Sequence, residues 1–204
     1  MNVLVLAEDF VKDEYVLQPI IKALMKAVEK PRAKVVVCKD PRFRGTSQAL
    51  NWVWIQQALD RHRGMVDLFL LCVDRDGDSK RLAILDKIEM QAKDVITPDR
   101  VFFAVQAWQE LEVWVLAGHD LPTDWKWNEI RSEPHPKERF YLPFAQQRGV
   151  IDLPAEGRSK LASEAAARYA RLRRLCIEDV AALELRIETW LKNRAKSHQS
   201  PTTI

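Results

Sequence analysis

The sequence predicts an α/β protein with a mostly parallel sheet of about four strands, helices on both faces, and a mainly helical C-terminal extension. Three observations predict it. Short, predominantly apolar runs recur at Asn2–Ala7, Lys34–Cys38, Val66–Val73 and Arg100–Val105, as strands buried on both faces require. Amphipathic helical stretches alternate with these runs, which is the mark of β-α-β units joined by crossovers. Beyond residue 157 the apolar spacing is helical throughout, with Leu161, Ala165, Leu172, Leu175, Val180, Leu183, Ile187 and Trp190 forming one stripe.

Taken in order, NVLVLA is the first strand, and Glu8 and Asp9 stand at its end. Residues 13–29 carry Val16, Leu17, Ile20, Ile21, Leu24, Met25 and Val28 at helical spacing, with Pro19 inside and Pro31 as the stop. KVVVC is the second strand, followed by the basic loop DPRFRG. Ser47 is placed to cap a helix reaching Arg63, where Gly64 breaks it. The third and most apolar strand then ends abruptly in Asp74, Asp76 and Asp78. A helix over about 79–92 leads to the fourth strand, RVFFAV, and QELEVWVLAGHD reads as a short buried helix. The domain plan is therefore an α/β core over 1–120, a Pro- and Trp-rich irregular excursion over 121–157, a basic helical segment over 158–193 packed on the core, and a loose tail over 194–204.

Bulk properties narrow the classes. A net charge of +3 over 204 residues excludes a histone-like polycation but permits a local basic surface. Cys38, Cys72 and Cys176 have neither CxxC nor zinc spacing, which suits a reducing cytoplasm. The N-terminus is too short and too soon acidic for a signal peptide, and no apolar run approaches the ~20 residues that cross a bilayer, so a membrane partner is not expected.

The chemistry is expected at the carboxyl ends of the strands, where open α/β sheets keep their sites. Residues two apart in an extended chain share a side, so Asp74 and Asp76 can aim at one point. Two such carboxylates repel unless a cation lies between them, and Mg²⁺ favours hard oxygen ligands. Glu8 joins them from the first strand, and Glu112 from the helix after the fourth. Glu112 is also suited to pairing with a buried arginine that would hold the appended segment on the sheet. Asp78 reads as the cap or first-turn acid of the following helix, and Glu110 as exposed. His62, His119, His135 and His198 show no ligand spacing. The clusters Pro41-Arg42-Phe43-Arg44 and Trp125-Lys126-Trp127 interleave aromatics with cations, as single-strand binders do, although packing is the commoner role for tryptophan. The arginine-rich C-terminal helix is either a solvated face or a phosphate track.

Glu8 after the first strand and Asp74-x-Asp76 after a later one resemble the Toprim family, the catalytic domain of topoisomerases, primases and OLD-type and other defence-associated nucleases. The run AVQAWQELEVWVLAGHD and the GRSK segment resemble a family of small stand-alone bacterial Toprim-like proteins. The resemblance covers most of the chain in order, through short motifs, and departs from the pattern at Asp9, where the family commonly has glycine. It implies a Toprim-like fold and Mg²⁺- or Mn²⁺-dependent phosphodiester hydrolysis of nucleic acid, in an antiphage-defence setting that leaves room for a partner ATPase and a homodimer. It further implies Glu8, Asp74 and Asp76 as metal ligands and Glu112 as a completing acid. A cation is also needed to face the developing negative charge, and Lys160 of GRSK, Arg75 and Lys80 are the candidates, among which the sequence does not choose. Two other readings stand beside it: a non-catalytic regulatory or binding subunit of the same fold, and a phosphoreceiver-like domain. The latter leaves Asp76 unexplained and lacks the expected lysine after VFFAVQAW.

Overall fold

Four strands, β1 (Asn2–Ala7), β2 (Lys34–Val37), β3 (Leu68–Asp74) and β4 (Val101–Ala107), form one all-parallel sheet in the order β2-β1-β3-β4 in the computed structural model of the protein. The structure describes residues 1–197. The apolar runs form strands here because their side chains alternate between two separate cores. Val3, Val5, Leu68, Leu70 and Cys72 face one side, while Leu4, Leu6, Phe69, Leu71 and Val73 face the other.

Helix α1 (Glu14–Ala27) covers the first side with Val16, Leu17, Ile20, Ile21 and Leu24. Pro19 is accommodated inside it. The second side is covered by α3 (Trp52–His62) and α4 (Arg81–Lys93), through Ile55, Ala58, Leu59, Leu85 and Ile88. The single helix expected from Ser47 is in fact two. A short α2 (Thr46–Ala49) ends, and α3 restarts behind Asn51, whose extended backbone lets its side chain accept the Val53 N–H at 2.9 Å.

After β4 the chain remains on the α1 side. Helix α5 (Glu112–Ala117) is buried along its whole length, as its sequence predicts. The excursion holds three short helical pieces, α6 (Trp127–Ser132), a π-helical turn (Lys137–Tyr141) and α7 (Leu142–Gln147), with irregular chain around them. Phe140, Tyr141, Phe144 and Val150 join the α1-side core, which is why this proline-rich stretch is ordered. Trp125 packs edge-on against Phe140 at 5.0 Å.

The C-terminal stretch runs α8 (Arg158–Ala167), α9 (Tyr169–Leu175), a second π-helical turn (Ile177–Ala181) and α10 (Ala182–Ser197). The break near Cys176 is as expected, and there is another at Arg168. Residues 194–197, expected in the tail, complete α10, while the rest of that tail lies outside the described residues. Helix α8 can lie against α5 because Gly118 has no side chain: a Cβ there would sit 2.3 Å from the Ala165 Cα. Among the described residues no helix is long and apolar enough to cross a membrane.

Candidate functional site: an acidic cleft at the ends of β1 and β3

The strand order fixes where a site can open. β1 leads outward to β2 on one side, while β3 leads to β4 on the other, so the connections leaving the carboxyl ends of β1 and β3 diverge. Glu8 follows β1, and Asp74 is the last residue of β3. They meet directly: the Asp74 N–H donates to Glu8 Oε1 at 3.0 Å. Glu8 Oε2 accepts the Thr46 hydroxyl, which belongs to the first residue of α2. Asp74 Oδ1 accepts the Leu111 N–H at 2.9 Å, from the start of the α5 turn.

A third acid that the sequence reading passed over enters this cleft. Asp13 precedes α1, and its Oδ2 accepts the Asp9 N–H at 2.9 Å. Glu8, Asp9, Asp13 and Asp74 line a cleft of about 440 Å³ together with Phe10, Phe43, Arg44 and Gly45. Asp74 Oδ2 and Asp13 Oδ1 accept no hydrogen bond from the described residues. Glu112 lies behind them, buried, with Arg158 Nε donating to its Oε1 at 2.9 Å and Arg158 Nη2 closing on the same atom. Arg158 also binds Glu156 at 2.7 Å.

The electrostatics are those of an undercompensated acid cluster. Burial pushes the Asp13 carboxyl up to about 7, with the nearby Glu112 charge adding to the effect. Burial also raises Asp74 well above the ordinary aspartate value, reinforced by Glu112, Asp13, Glu8 and Asp76. Glu8 is raised by burial against the opposing pull of its Thr46 and Asp74 hydrogen bonds. Carboxylates crowded this way favour either a proton or a cation.

The remaining predicted residues are placed differently. Asp76 does not share a side with Asp74, because the chain leaves the extended conformation at the strand end: Asp76 has φ +51° and Gly77 φ +69°. Its exposed carboxylate turns to Arg81, 3.4 Å away, although its charge still acts on Glu8 and Asp74. Asp78 stands before α4 rather than capping it, and its Oδ1 accepts the Lys80 N–H at 2.8 Å. Lys160 is exposed on α8 with no ion-pair partner among the described residues, and the cation that the GRSK segment brings to the acids is Arg158. Arg75 lies over the Trp108 ring at 4.2 Å. For Glu112, the pairing with a buried arginine is the arrangement present.

Glu110 is half-buried, its Oε2 accepting the Lys137 N–H at 2.8 Å. Burial raises its pKa to about 7. Glu110, His135 and Glu138 bring their ligand atoms within 4.8 Å of one another, and this trio could hold a metal ion. Glu8, Asp74 and Asp76 do not reach that mutual spacing. His119 is a structural residue: its Nε2 lies 2.9 Å from the Leu161 carbonyl and its Nδ1 3.3 Å from Arg148.

Several arginines of the basic C-terminal helices are engaged within the fold. Arg171 donates to the Ala117 and His119 carbonyls, Arg186 holds Glu89 and the Ala104 carbonyl, and Arg194 holds Asp67.

The signal that could have identified Asp13 was its spacing, one helical turn beyond Asp9 and directly before an apolar helix that starts at the sheet edge. Comparison with protein-family models, curated proteins and solved structures gave no match.

Proposed function

We propose that the protein is a divalent-metal-dependent phosphodiesterase acting on nucleic acid, with Asp74 and Glu8 as the principal ligands. The observation that carries this reading is the crowding of Glu8, Asp13 and Asp74 around one cleft, where Asp74 Oδ2 and Asp13 Oδ1 accept no hydrogen bond from the described residues and burial penalises their charge. The donor set is entirely carboxylate oxygen, which suits Mg²⁺ or Mn²⁺ and not a soft-ligand metal. The resemblance of the Glu8 and Asp74-x-Asp76 pattern to Toprim nucleases supports the same reaction class and is the source of the antiphage-defence setting.

A bound divalent ion would supply neutralising charge at a phosphate and an acidified water. The chain's own residues do the rest. Thr46 and the Asp74 N–H fix the rotamer of Glu8, and the Leu111 N–H fixes that of Asp74. Arg158 holds Glu112, and with it the α5 turn, at the back of the cleft. Asp13, opening into the same cleft, is positioned to take the proton of the attacking water. In the reaction the water oxygen bonds to phosphorus and the ester P–O bond breaks. The water's proton passes to a carboxylate, and the leaving oxygen takes a proton from solvent.

The test pairs Mn²⁺ binding, read by electron paramagnetic resonance, with hydrolysis of bis(p-nitrophenyl) phosphate. Wild type should bind Mn²⁺ and hydrolyse the ester, whereas Asp74→Asn should do neither while unfolding at an unchanged or higher temperature. Hydrolysis that persists in Asp74→Asn overturns the assignment.

A further inference from the structure

The acidic cleft has a basic neighbour on the β2 side. Lys39, Arg42, Arg44 and Arg61 line a second cleft of about 560 Å³ with Asp40, Gln48, Trp54 and Gln57. Arg44 lines both clefts and so forms the wall between them.

Sequence alternation produces this arrangement. In Pro41-Arg42-Phe43-Arg44 the odd positions are buried and the even ones exposed, so both guanidiniums leave the same side of the extended loop. Phe43 anchors the loop in the α3-side core. The backbone is fastened to the end of β1, since the Gly45 N–H donates to the Glu8 carbonyl at 2.9 Å and Arg44 forms a bridge with Asp9. The Arg44 N–H donates to Gln48 Oε1 at 2.8 Å. The loop is thus fixed relative to the acids by bonds that do not use its guanidiniums.

Neither of the two arginines is ion-paired among the described residues. Lys39 is paired with Glu14, and Arg61 with Asp40. Arg42 lies 5.8 Å over the Phe10 ring, and neither Arg42 nor Arg44 meets a carboxylate among the described residues. Three other cations near the cleft are committed: Arg158 to Glu112 and Glu156, Arg81 to Asp76, and Arg75 to the Trp108 face.

We infer that Arg42 and Arg44 form a phosphate-binding rim that seats the backbone of a nucleic-acid strand next to the acidic cleft. Arg44 takes the phosphate nearest the cleft, and Arg42 takes a neighbouring one. Guanidiniums suit this task because their planar donor set matches phosphate oxygens. The rim deepens the proposed function, since it rests on the acidic cleft being where a phosphodiester is cut.

Binding can be separated from cutting. A fluorescein-labelled 20-nucleotide single strand is titrated into wild type, Arg42→Ala/Arg44→Ala and Lys30→Ala in EDTA, by fluorescence anisotropy over a series of salt concentrations. Lys30 is exposed just before β2, at the amino end of the strands and away from the rim, and serves as the control. The double variant should bind about ten-fold or more weakly, and its salt slope should fall by about 1.4, or 0.7 for each cation removed. Lys30→Ala should match wild type.

The rim is overturned if the double variant binds like wild type, if Lys30→Ala weakens binding equally, or if inorganic tripolyphosphate binds more tightly than the 20-mer. If circular dichroism shows the double variant to be unfolded, Arg42→Gln and Arg44→Gln are measured singly against the same criteria. Wild type that binds no strand yet hydrolyses bis(p-nitrophenyl) phosphate with Mn²⁺ sinks the rim and leaves the proposed chemistry standing. Strand binding without metal-dependent hydrolysis does the reverse.

Discussion

Asp74 and Asp179 are both aspartates set against the sheet edge, and their surroundings are opposite. Asp179, 1% exposed in the second π-helical turn, is saturated: its Oδ2 takes the Trp108 N–H at 3.0 Å, the Trp114 indole N–H at 2.7 Å and the Arg131 guanidinium at 3.1 Å. Its Oδ1 takes the Val180 N–H. Asp74 takes one backbone N–H and otherwise faces Glu8, Asp13 and Glu112. A charge held by donors on every side ties the C-terminal layer to β4. A charge surrounded by its own kind contributes little to the fold and favours a proton or a cation. Burial alone would not separate the two roles, whereas the identity of the partners does.

The largest expected effect falls on activity. Asp74→Ala should lower metal-dependent hydrolysis by about 10⁴-fold, near 5 kcal/mol of transition-state stabilisation, in steady-state assays. If stability falls as well, the contrast with Asp179 collapses. Next comes Asp179→Ala, which leaves the Arg131 charge buried without its main partner. It should cost about 3–5 kcal/mol in urea denaturation, with Mn²⁺ binding retained in the fraction that is folded. Third, Mn²⁺ at a hundred times its Kd should add about 2.7 kcal/mol to the stability of wild type. That gain should vanish in Asp74→Asn and persist in Glu138→Gln. The reverse pattern would move the principal metal to the Glu110, His135 and Glu138 trio.

The smallest effect lies at the amino end of the strands, where Asp67 accepts the Asn2 N–H at 2.7 Å and Arg194 at 2.8 Å. These partners hold its pKa below the ordinary aspartate value of 3.8 against the opposing effect of burial. An acid whose pKa is lower in the folded state contributes stability above its unfolded pKa and loses it as pH falls through the folded one. Arg194→Ala should therefore cost about 0.2–1 kcal/mol at neutral pH, and the deficit should close below about pH 3.8 in thermal melts.

The sheet was legible because strands buried on both faces must be apolar throughout, and each ended in a visible change to acid or turn residues. Glu8 and Asp74 were legible for the same reason. Asp76 was not, since two-residue alternation holds only while the chain stays extended, and the Asp-Gly turn at 76–77 ends that at once. Asp13 was hidden by its place at the head of a helix, where an acid is ordinary. In GRSK the segment was identified but the residue was not: Arg158 and Lys160, two apart on a helix, project from different faces, and only packing against α5 selects Arg158. Asp179 sat in a helically patterned stretch with nothing to mark it. The hint lay instead with Trp114, a buried indole that needs an acceptor.

The Glu112–Arg158 pair spans 46 residues and joins the core to the last helices. Synthesis proceeds from the N-terminus, so β1, β3 and α5 leave the ribosome well before Arg158 does. Until then Glu8, Asp13, Asp74 and Glu112 are present without the guanidinium that holds the last of them. The order of translation therefore makes the acidic half of the molecule wait for its C-terminal layer, and a chain cut short before residue 158 would carry the ligands of the cleft without the cation that sets α5 behind it.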